Sequence, residues 1–160
     1  NKFLCIHIKN QINAGADIIQ IFDSWAGLIP EDKINDYCFK PNAKIVEFCK
    51  LEKIPSICFP KGIKEKYEDF NILVKPNGIN LDPEIDPVWA KKKLLNVVLQ
   101  GGLDPKILLK SEKELLEGAT KYIRTFSEIP YVFNLGHGLL PETDPGKVET
   151  LIKFYRNFNE

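Results

Sequence analysis

The chain has 160 residues, with 22 basic and 22 acidic side chains, a formal charge of zero and 44% hydrophobic residues. That length suffices for one domain, residues 1–160, with a buried core. The charge balance excludes a global field that would gather nucleic acid or an anionic membrane surface, and the short apolar runs exclude a membrane span.

No stretch at the start reads as a signal peptide, so the expected location is the cytoplasm. The four cysteines, Cys5, Cys38, Cys49 and Cys58, form no CxxC pair, and neighbours such as Phe39, Phe48 and Phe59 suit packed, reduced thiols. There is no methionine, and arginine occurs only at Arg124 and Arg156 against abundant Lys, Ile and Asn. A chain that lacks an initiator and opens in helix-like sequence is expected to be a fragment or a processed product. The Lys, Ile and Asn bias fits an AT-rich genome.

The first predicted element is a helix from Phe3 to Asn13, stopped by Gly15, which can adopt the left-handed backbone of a helix end. Ala16 to Phe22 follows as a strand, too short for a buried helix and rich in β-branched residues. Asp23-Ser24 and Trp25-Ala26-Gly27 make a loop, and a helical region after Pro30 is expected to be divided at Pro41. A second strand, Pro55 to Phe59, runs into Pro60-Lys61-Gly62 and a helix from Ile63 to Leu73. The third strand is Gly78 to Leu81, the fourth Asn96 to Gln100 and the fifth Tyr131 to Leu135.

Asp-Pro follows the later strands at Asp82-Pro83, Asp86-Pro87, Asp104-Pro105 and Asp144-Pro145. An aspartate there can cap free N–H groups, and proline suits a first helical position whose N–H has no partner. These four aspartates are therefore read as helix caps. Apolar strands alternating with helices indicate a parallel sheet covered by helices. A dinucleotide-binding sheet would carry GxGxxG after an early strand, whereas Gly101-Gly102 lacks that spacing and follows the fourth. A (β/α)8 barrel takes about 250 residues. Five strand-helix units in 160 residues fit five-eighths of one. The fold class is thus α/β, the C-terminal five βα units of a (β/α)8 TIM barrel.

In such folds chemistry gathers in the loops after the strands. The candidates there are Phe22, Asp23 and Ser24; Pro60 and Lys61; Asp82; Gln100 and Asp104; and Asn134 with His137. Asp23 suits a base or, more commonly, an acceptor for loop N–H groups, Lys61 a solvated lysine or one facing a carboxylate-bearing ligand, and Ser24 either a cap or a ligand donor. His7 lies within the first helix, remote from any strand end, and reads as a surface or packed histidine. The sequence holds no HExxH, GxSxG or P-loop motif. His137 stands between Gly136 and Gly138, which permit unusual backbone or close approach of a ligand. An imidazole there can exchange a proton or donate to a carboxylate, or it can serve only to hydrogen-bond its own turn.

Three motifs in register, "GADIIQIFDSWAG" (Gly15 to Gly27), "LQGGLDP" (Leu99 to Pro105) and "FNLGHGLLPETDP" (Phe133 to Pro145), resemble the C-terminal part of the uroporphyrinogen decarboxylase family. The resemblance spans essentially the whole chain. It implies a (β/α)8 barrel, commonly a homodimer, that removes CO2 from the four acetate side chains of uroporphyrinogen to give coproporphyrinogen. It also implies that no metal or organic cofactor is used.

By the same resemblance Ser24 of the FDS motif and His137 of the GHG motif contact the substrate, with His137 the catalytic candidate and Phe22 at the cleft wall. The family's aspartate that holds the pyrrole N–H groups, its tyrosine and its carboxylate-pairing arginines match no position here. Two departures stand out: Gly102 where many members have Asn, and Pro83 where an aromatic often follows the strand-end aspartate. A fragment with three strands missing would expose unpaired strand edges, and is expected to be poorly stable and inactive alone.

Two other readings stay open: a relic that keeps part of a barrel without its chemistry, and a zinc-dependent methyltransferase of corrinoid or thiol substrates from the same superfamily. The latter's His-x-Cys site would fall on Ser56-Ile57-Cys58 and its later cysteine near Leu135-Gly136-His137, so Cys58 would stand alone.

Overall fold

The structure, a computed structural model, describes residues 1–158. Five strands form one sheet in the order β1-β2-β3-β4-β5, with helices alternating between them. A sheet order that never reverses belongs to consecutive strands of a singly wound barrel, while a doubly wound sheet turns back at a switch point. The chain divides into two compact units: Asn1–Asn80 with Lys93–Leu99, and Leu81–Lys92 with Gln100 onward.

In the first unit α1 (Lys2–Asn13) buries Ile8, and Gly15 takes φ 101° just past its end with no atom near an added Cβ. Glycine is needed there for backbone conformation rather than for space. β1 (Ile19–Asp23) begins three residues later than its apolar run suggests. The Ala16 N–H is still bonded to Gln11 O of the last helical turn, and the ladder opens only at Ile19 N–H to Pro55 O. β1 and β2 (Ser56–Pro60) pair in parallel from Ile19 opposite Ser56 to Asp23 opposite Pro60. Because strand side chains alternate, Ile19 and Ile21 face the helices, in a cluster with Ile8, Ile45, Cys49 and Ile54. Phe22 lies on the other face.

Pro41 changes the helix type instead of cutting the helix. Asn35–Phe39 is a π stretch in which the Lys40 N–H reaches Asn35 O, and α2 (Lys40–Leu51) continues from it with Pro41 in its first positions. A proline there gives up an N–H that the widened turn does not use. α3 (Tyr67–Val74) buries Tyr67, Phe70 and Val74, and the strand after it, β3 (Gly78–Leu81), matches its sequence bounds and is buried throughout.

Three of the four Asp-Pro pairs behave as expected. Asp86 accepts from Val88 and Trp89 at the start of α4 (Pro87–Lys93), Asp104 from Lys106, and Asp144 from Gly146 at the start of α6 (Pro145–Asn157). Asp82 does not cap a helix. It is 6% exposed and its carbonyl accepts from Ile85 N–H at 3.2 Å in a tight turn. β4 (Val98–Gly101) starts two residues after the expected Asn96, because Asn96 sits at φ 59° and cannot lie in a ladder. In the second unit α5 (Glu112–Phe126) carries a full capping box from Ser111 and Glu114. β5 is only Tyr131–Val132. The Asn134 side chain takes the Leu135 N–H at 2.8 Å, so the expected strand breaks, and Leu135 returns as an isolated parallel bridge to Leu103.

All four cysteines are free thiols, with Cys38, Cys49 and Cys58 buried. Burial is the main cause that pushes the Cys38 thiol up, with the Asp23 carboxylate second, and burial pushes Cys58 up to about 12. Among the described residues no helix is long and apolar enough to cross a membrane.

The β1–β2 pair is prolonged beyond its strands. Lys61 N–H donates to Asp23 O at 3.2 Å, Gly27 N–H donates to Lys61 O at 2.8 Å, and a Cβ added at Gly27 would lie 2.6 Å from Gly62 O. Gly27→Ala is expected to lower the unfolding free energy by about 1–3 kcal/mol through that overlap, read as a reduced denaturation midpoint; an unchanged midpoint refutes the packing role.

The buried protons give a second prediction. At pH 8 a thiol with a pKa of about 12 is thiolate in about one molecule in ten thousand, so alkylation of the folded chain should reach half-buried Cys5 well before Cys58. Tyr122 is likewise pushed up to about 12, mainly by burial. Both groups keep protons in the folded chain that the unfolded chain releases, so their contribution to stability is full below pH about 9 and declines as pH rises toward about 12. A stability profile that climbs over that window contradicts the burial of these groups.

Candidate functional site

At the carboxyl end of β1 the backbone is fixed and the side chains are presented. Phe22 is 66% exposed and touches Phe59 edge to face, with ring centroids 6.3 Å apart. Ser24 is exposed, and the short helical turn Ala26–Leu28 behind it has no side-chain cap, so the serine is not used as one. Trp25 beside it is 74% exposed while Ala26 is fully buried. Asp23 points away from this display: its carboxylate accepts from Asn42 Nδ2 at 2.9 Å, and the same amide donates to Cys38 O. It thus accepts from a helix side chain instead of loop N–H groups. Lys61 is half-buried, and its peptide bridges Asp23 and Gly27.

The second unit builds the end of β4 and β5. Gly101 and Gly102 take φ 74° and 92°, and their carbonyls accept hydrogen bonds from two tyrosines, Tyr131 Oη at 2.6 Å and Tyr122 Oη at 2.7 Å. Burial holds both phenols above their ordinary range, so they remain donors. A Cβ at Gly102 would lie 2.8 Å from the Tyr122 ring. Asparagine at this place would tolerate the left-handed backbone but would need that ring to move. Neither tyrosine bond was legible in advance; the double glycine after a strand was the signal for a strained turn in need of an anchor.

His137 is exposed at the end of the β5 segment. The two glycines beside it differ from the expectation of unusual backbone, since neither has a left-handed φ. Gly136 is buried and needs its lack of a side chain for Pro83: an added Cβ would stand 2.8 Å from the Pro83 nitrogen. Gly138 has open space around it. A groove of about 560 Å³ adjoins the imidazole, lined by Phe133, Leu139, Leu151, Ile152, Tyr155 and Arg156 among others. The Phe133 and Tyr155 rings stack at 4.4 Å and 9°. Apolar walls beside one imidazole and one guanidinium suit an organic anion with a hydrophobic body.

Phe22 and Ser24 thus stand at a strand end of the first unit and His137 at one of the second. His7 is exposed on α1. Cys58 is a buried thiol inside β2, and burial pushes it up to about 12. Among the described residues no group of three His, Cys, Asp or Glu could hold a metal ion.

The chain matches the family model described as uroporphyrinogen decarboxylase (URO-D) over residues 2–158. It is 42% identical over 158 residues to a uroporphyrinogen decarboxylase of Rickettsia bellii, covering 95% of this chain and 45% of that protein. To one from Orientia tsutsugamushi strain Boryong it is 41% identical over 157 residues, covering 96% and 46%. The chain therefore spans about half the length of the curated relatives it matches. A methyltransferase from Methanosarcina mazei superposes with a TM-score of 0.75 at 18% identity, over 93% of this chain and 44% of that one, a likeness of fold. With motifs, strand order and family match in agreement, the chain belongs to the uroporphyrinogen decarboxylase family.

Proposed function

We propose that this chain supplies part of the site of a cytoplasmic, homodimeric enzyme that decarboxylates the four acetate side chains of uroporphyrinogen III to give coproporphyrinogen III. The observation that carries this reading is that Phe22, Ser24 and His137 are exposed at strand ends in a chain of this family. Each step exchanges one carboxylate for one hydrogen: the acetate loses CO2, and its methylene carbon takes up one proton to become methyl.

Direct loss of CO2 would leave a carbanion with no stabilisation. A pyrrole protonated on carbon accepts the electron pair instead, so the substrate itself is the sink and no metal or organic cofactor is required. The protein's work is then to position carboxylates and to deliver and withdraw protons. His137 is assigned to hold the reacting carboxylate or pass a proton, Ser24 to orient a neighbouring acetate or propionate by hydrogen bonding, and Phe22 to line the apolar wall. The fixed Asp23 and Gly27 backbone supports this reading, because a donor that does not have to be ordered in the transition state costs less.

The test uses the native gene product, with porphyrins of eight to four carboxylates separated chromatographically after oxidation. His137→Ala is expected to lower kcat/KM by about 10²-fold or more, and Ser24→Ala to raise KM by about fivefold to tenfold, the worth of one hydrogen bond. Unaltered turnover and KM in His137→Ala would remove the histidine from the chemistry.

A further inference from the structure

The turn that carries His137 is closely packed at Gly136 and open at Gly138. On the first flank Gly136 is buried and its N–H donates to Leu103 O at 2.8 Å. Its Cα presses on Pro83, where an added Cβ would meet the nitrogen and Cδ at 2.8 Å and Cγ at 2.9 Å. On the other flank an added Cβ at Gly138 would meet nothing within 4 Å. Pro83 is itself held by local features. Its ring fixes φ, its predecessor Asp82 is buried, and the Asp82 carbonyl closes a turn by accepting from Ile85 N–H. This is also the Asp-Pro pair that caps no helix, so the proline at this place is not explained by helix initiation.

We infer that Pro83 is a positioning residue for His137: its ring, set against Gly136, determines where the exposed imidazole stands. The inference rests on the proposed role of His137 at the substrate. A glycine-flanked turn left to itself populates many backbone states, and a reacting group displaced by about 1 Å can cost about 10²-fold in rate. The proline removes that freedom without approaching the substrate, and it does so with a side chain that has no rotamers of its own to order.

Pro83→Ala in the native gene product deletes the Cγ and Cδ contacts and leaves the Gly136 to Leu103 hydrogen bond in place. Expected is a fall in kcat of about tenfold with KM changed by less than about twofold and an unfolding midpoint close to the parent's. In a His137→Ala background the same substitution should leave kcat where His137→Ala put it, since both changes act through one group. Carbon-13 labelling of histidine supplies a readout independent of turnover: the His137 ring resonance should broaden or split in Pro83→Ala. An equal loss of kcat in both backgrounds, or an unchanged His137 resonance, overturns the inference. If His137→Ala alone leaves turnover unaltered, the catalytic reading fails, and the resonance still decides whether Pro83 positions the ring. Should Pro83→Ala melt far below the parent, Pro83→Val, which keeps bulk at Cγ but frees Cδ, takes the same measurements with the same outcomes.

Discussion

A glycine backbone lying so close to its neighbour that no Cβ can stand between them is the constraint on which both strand-end loops depend. In the first unit Gly27 lies against Gly62, so the β1 and β2 loops continue the register of their strands through Asp23, Lys61 and Gly27. In the second, Gly136 lies against Pro83 while its N–H stays bonded to Leu103. Parallel strands give their loops no hairpin partner to define them. These close approaches replace that definition, and the exposed side chains hang from backbone that is already fixed.

The alternation of strands and helices was legible because buried parallel strands read as short apolar runs, and β3 matches its bounds for that reason. The misplaced ends share a cause. Ala16 is held by the last turn of α1, Asn96 by a left-handed backbone, and Leu135 by the side chain of Asn134. Each is a hydrogen-bonding or backbone choice made locally, invisible to a count of apolar residues. Asp82 was misread for the opposite reason. Its motif is the same as that of three true caps, and only burial in the fold distinguishes it.

The candidate side chains were legible as strand-end residues, and Phe22, Ser24 and His137 are exposed where that logic puts them. What they are attached to was not. The glycines around His137 suggested room for a ligand, yet Gly136 serves packing against a proline more than fifty positions away in the chain. Such a pairing leaves no local trace, because the sequence of either partner alone is compatible with an ordinary turn.

Charge at these loops follows the same division between framework and display. Three aspartates near the strand ends have their carboxylates engaged within the framework. Asp23 accepts from Asn42, and Asp104 and Asp144 accept from helix-start N–H groups, whose partial positive charge offsets theirs. The groups exposed on the segments that carry Ser24 and His137 include that hydroxyl, that imidazole, the rings of Phe22 and Trp25 and the carboxyl group of Glu142. Hydrogen-bonding groups and aromatic surface thus stand on backbone held by its own close contacts. An environment prepared before the substrate arrives also spares the reorganisation that would otherwise be charged to the transition state.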